Sequence, residues 1–105
     1  MANGHKEQAR LRELVDIVTK GINGTGTLVV NEDATVHGIG VCDACRGGLG
    51  GKERGAVTID YNDEKGGKHY YLVDRECYHL IRDGEFDALL KKTIRTQQRG
   101  KEALN

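Results

Sequence analysis

A chain of 105 residues with 37% apolar and 5% aromatic content fits one domain with a small core, a size that favours an added staple such as a metal. Formal charge is zero, 16 basic against 16 acidic residues, which excludes a surface built throughout for nucleic acid but leaves room for a local basic patch. No stretch approaches the roughly 18 apolar residues of a membrane span, and "MANGHKEQAR" lacks the apolar centre of a secretory signal, so the expectation is no membrane partner and a cytoplasmic location.

Along the chain, residues 5 to 20 read as an amphipathic helix with Leu11, Leu14, Val15 and Val18 on one stripe and Ile22 continuing it. Asn3 is a candidate cap and Gly21 a candidate stop. Thr27 to Val30 and Thr35 to Val41 are rich in β-branched residues, and "NED" between them is turn chemistry, so a first hairpin is expected there. "RGGLGGKERG" is a glycine-rich loop without the ending or setting of a phosphate-binding loop. "AVTIDY" (56 to 61) alternates, "NDEKGGK" turns, and "HYYLV" (69 to 73) returns as a second hairpin. A helix opens at Asp74, Gly84 interrupts it, and "EFDALLKKTIRTQQ" resumes with Phe86, Leu89, Leu90 and Ile94 on one face. The last residues, "RGKEALN", are expected to fray.

The three cysteines are Cys42, Cys45 and Cys77. Three thiols cannot all pair within one chain, and a reducing compartment keeps them free. Cys42 and Cys45 form a Cys-x2-Cys in a glycine-flanked turn, which can present two thiolates to one ion at about 2.3 Å. A redox reading is weaker, because "CDACRGGLGG" runs into glycines instead of opening a helix after a strand.

The order of knuckle, hairpin and cysteine-bearing helix in "VCDAC…GKERGAVTIDYNDEKGGKHYYLVDRECYHL" resembles a treble-clef zinc finger, in particular one half of a LIM-type module. The resemblance covers residues 41 to about 82. It implies one structural Zn2+, with Cys42 and Cys45 as the knuckle ligands and Cys77 as the final one. The family's histidine falls three residues before that cysteine, where this chain has Asp74. Carboxylate is an accepted zinc ligand, and positions three apart share a helix face, so Asp74 completes the candidate set. Histidine is chemically the commoner partner, which keeps His79, His37 and His69 open. His79 lies about 200° around the helix from Cys77. Asp74 also suits a helix N-cap, and a free cysteine can be a plain buried apolar side chain.

The expected fold is a small α+β, zinc-stabilised, treble-clef-like domain. Residues 1–40 would form an N-terminal helix and hairpin, 41–83 the zinc-binding unit, and 85–105 a C-terminal helix and basic tail. No general base stands on the helix face of Cys77, since Glu76 points about 100° away, so no catalytic residue is assigned. The expected function is a non-catalytic module binding another protein. Lys91, Lys92, Arg95 and Arg99 form a basic stripe that could neutralise phosphates, making nucleic acid the alternative partner. The plainer reading of the same stripe, and the one that charge runs favour, is a solvated face near a helix C-terminus. A metal-dependent hydrolase or nuclease is the third reading.

Overall fold

The computed structural model describes residues 2–34, 40–49 and 56–104. The first helix, α1, spans Ala2–Ile22. Leu11, Leu14 and Val18 recur at helical spacing and are buried, with Val15 partly so. The helix starts ahead of Asn3, which is therefore no cap. It ends one residue past Gly21, where Thr25 caps the final turn by donating its backbone N–H (3.1 Å) and hydroxyl (2.6 Å) to the Lys20 carbonyl. Ile22, the last residue of that turn, is left exposed.

Three antiparallel strands follow, β1 (Thr27–Ala34), β2 (Ala56–Asn62) and β3 (Lys68–Asp74), in the spatial order β1-β2-β3. The β2–β3 hairpin lies where alternation puts it, with Val57, Ile59, Tyr61 and Val73 buried on the helix-facing side. Asp63 builds its turn, accepting backbone N–H groups from Lys65 (2.9 Å) and Gly67 (2.7 Å).

The expected first hairpin needs correction. "NED" does not reverse the chain: β1 continues through it to Ala34 and pairs with β2, Val30 opposite Ile59. Its turn-forming residues instead produce a register shift between Asn31 and Ala34, and the Asn31 side chain accepts the Asp33 N–H at 3.0 Å. The expected return strand, Thr35 to Val41, lies mostly outside the described residues. Val41 makes an isolated bridge to Gly48.

Helix α2 covers Arg75–Arg82, and α3 covers Phe86–Leu104 through most of the segment expected to fray. On α3, Leu89 and Thr93 are fully buried one turn apart, with Phe86 and Leu90 packed against the core and Ile94 left half-exposed. The Thr93 hydroxyl is satisfied by the Leu89 carbonyl at 2.8 Å. Leu11, Leu14 and Val18 of α1 meet the strands and Ile81 and Leu89 in one core that also contains the three cysteines. Among the described residues no helix is long and apolar enough to cross a membrane.

Candidate metal centre

The knuckle is a short, tightly bonded turn. Cys42 donates its N–H to the Gly47 carbonyl (2.8 Å), and Arg46 N–H returns to the Cys42 carbonyl (2.9 Å). Arg46 closes the turn with φ of 68°, a left-handed conformation that side-chain-bearing residues rarely adopt. Two contacts fix the knuckle in place. Asp43 bonds to Leu72 on the edge of β3 twice, N–H to carbonyl and carboxylate Oδ2 to N–H, each at 2.7 Å. Arg10 of α1, itself paired with Glu7, donates to the carbonyls of Asp43 and Ala44. These residues hold the first two thiols against the end of β3.

The other two candidate ligands come from the β3–α2 junction. Asp74 is the N-cap of α2, and its Oδ1 accepts the Cys77 N–H at 2.7 Å. Its second oxygen, Oδ2, lies 3.3 Å from Cys45 Sγ. One carboxylate therefore caps the helix and faces the sulfurs together. The ligand atoms of Cys42, Cys45, Asp74 and Cys77 all lie within 4.8 Å of one another, and this group could hold a metal ion. Four ligands about 2.3 Å from a tetrahedral ion stand about 3.8 Å apart, so the spread fits one ion.

Each sulfur is held by an N–H donor. Cys42 Sγ receives Cys45 N (3.5 Å) and Asp74 N (3.4 Å), Cys45 Sγ receives Gly47 N (3.4 Å), and Cys77 Sγ receives Lys92 Nζ (3.2 Å). Donors of this kind favour the charged thiolate. The thiols also act on one another. Hydrogen bonds from Cys42 and then Cys77 hold Cys45 far below the ordinary thiol range. Cys42 is pushed up to about 11, chiefly by its bond to Cys45, and Cys77 is pushed strongly up by its bonds to Cys42 and Cys45. A bound cation deprotonates the thiols it coordinates.

Lys92 is a residue at this site that the sequence does not single out for it. Its Nζ donates to Asp74 Oδ1 at 2.8 Å as well as to Cys77, and lies 3.8 Å from Glu76. Burial pulls the ammonium down, but the bonds and charges of Asp74 and Cys77 outweigh it and raise Lys92 above the ordinary lysine range. Its place in the basic stripe is thereby corrected: it turns inward to the cluster, drawn by buried negative charge, while Lys91 and Arg95 stay exposed. The Arg99 side chain lies outside the description.

Among the rival ligands, His69 stacks on Tyr61 and bonds to Asp63 Oδ2 at 2.9 Å, and His79 faces Glu32 at 3.7 Å, so both are committed elsewhere. His37 lies outside the described residues. Glu76 is mostly exposed and shares Lys92 with the cluster. Of the tyrosines, Tyr61 and Tyr78 are buried, Tyr71 is partly so, and Tyr70 is 64% exposed. The chain matches no protein-family model, and neither a curated protein nor a solved structure is significantly similar to it.

Proposed function

We propose that this chain is a non-catalytic protein-interaction module organised by one structural Zn2+ on Cys42, Cys45, Asp74 and Cys77. The observation that carries this reading is a complete set of four protein ligand atoms within 4.8 Å, three of them fully buried sulfurs. A structural zinc takes all four positions from protein, whereas a catalytic one keeps a position for water. Soft thiolates favour zinc over magnesium or calcium, and one compact cage suits a single ion better than an iron–sulfur cluster. The succession of knuckle, hairpin and capped helix supports a treble-clef-like arrangement. Net neutrality supports a protein partner over nucleic acid.

Native mass spectrometry of the intact chain tests the metal assignment. The expected result is one zinc per chain, removed by a strong chelator with loss of the cooperative thermal transition, and a tetrahedral thiolate spectrum after cobalt substitution. A protein that melts unchanged without metal, and with serine at all three cysteines, would overturn it. Binding to the protein partner should depend on the metal and weaken only modestly with salt. A strong decline with salt would instead indicate phosphate contacts.

A further inference from the structure

The knuckle covers only part of the β3 edge. Asp43 takes both the N–H and the carbonyl of Leu72 on the side away from β2. In an antiparallel ladder these directions alternate residue by residue, so the N–H and carbonyl of Tyr70, two positions earlier, point to the same open side. No described residue bonds to them there. Beside this edge lies an open cleft of about 320 Å³, bounded by Arg10, Glu13 and Leu14 of α1, Asp43 and Arg46 of the knuckle, and Tyr70 and Tyr71.

The lining of the cleft carries charges of both signs. Arg10 is neutralised by Glu7 and held on the knuckle carbonyls. Among the described residues, neither Arg46, exposed on the knuckle, nor Glu13, on α1 one helical turn from Arg10, makes an ion pair, although the Arg46 charge also acts on Glu7. Leu14, Tyr70 and Tyr71 complete the lining. A strand entering here would continue the line of pairing that Asp43 begins at Leu72.

We propose that the β3 edge at Tyr70 is a peptide-docking site. Its occupant is an extended segment of a partner protein that adds a strand to the sheet, with an acidic side chain toward Arg46 and a basic one toward Glu13. Main-chain bonds supply affinity in this mode, and the side-chain positions supply selectivity. The site rests on the interaction-module reading and names its partner chemistry.

The test is selection of a random peptide display library on the zinc-loaded full chain, followed by affinity measurements with the enriched peptide made synthetically. The expected peptide carries an acid and a base at fixed separation around a β-prone stretch, and its binding protects the Tyr70 amide from hydrogen exchange. Tyr70→Pro removes the outward N–H at an edge position where proline is tolerated, and should weaken binding about tenfold or more. Tyr70→Ala keeps the N–H and should weaken it less. Arg46→Glu should weaken binding several-fold, and a peptide with its acid changed to a base should recover it. Zinc content and melting are checked for each variant. No enriched peptide on zinc-loaded protein, or a peptide indifferent to Tyr70→Pro, overturns the docking site and leaves the zinc assignment standing. A peptide that binds at Tyr70 on protein lacking metal overturns the zinc assignment and leaves the docking site standing.

Discussion

Asp74 uses its two oxygens for different tasks, and substitution can separate them. Asparagine retains an acceptor for the Cys77 N–H but removes the charge shared with Lys92 and the cluster. Asp74→Asn should therefore keep α2 and lose zinc affinity, while Asp74→Ala loses the cap as well. At saturating zinc the alanine variant should be less stable than the asparagine variant by about 1 kcal/mol in denaturant melts. Lys92 offers a second test. Three thiolates and one carboxylate carry more negative charge than a divalent ion balances, and Lys92 lies on two of those ligands. Lys92→Met should lower zinc affinity about tenfold or more and slow alkylation of Cys77 in the metal-free protein, whereas Lys92→Arg should retain most of the wild-type behaviour. Competition titration and thiol-trapping rates measure both. Asp74 was legible in the sequence because a helix start sets its spacing to Cys77 locally. Lys92 was not, because a run of basic residues looks solvated until tertiary packing shows which one turns toward buried charge.

At the level of elements, the glycines before β1 play unequal parts. Gly24 and Gly26 both have positive φ, 94° and 67°, but a side chain at Gly24 would meet open space. At Gly26 it would run into the Asn62 carbonyl and the Tyr61 ring. Gly26→Ala should thus destabilise by more than about 1 kcal/mol, and by more than Gly24→Ala. Thermal melts of the two variants compare them directly. Helix α1, the β2–β3 hairpin and α2 could be read in advance because their patterns lie within contiguous residues. The partner of β1 could not. Its pairing with β2 spans a long stretch of sequence, and Asn31 and Asp33 gave a local turn signal that the folded sheet uses for a register shift. The buried Thr93 on α3 escaped the apolar pattern for a related reason, since its hydroxyl is satisfied within its own helix.

For the whole molecule, the cluster joins the knuckle, the end of β3, α2 and α3, and Arg10 connects α1 to the same knuckle. Removing the metal should release protection from hydrogen exchange first in the knuckle, the Asp74 end of β3 and α2, with the β2–β3 turn less affected. Loss of exchange protection that begins uniformly across the chain would argue against this order. The position of Lys92 also bears on how the centre is assembled during synthesis. With zinc bound as proposed, Cys42 and Cys45 would leave the ribosome as a two-ligand claw whose cargo exchanges freely. Asp74 and Cys77 follow only after the hairpin strands have been made, and the lysine later still. An early-captured ion would thus be a loose passenger, and the lock would close only once α3 has been translated.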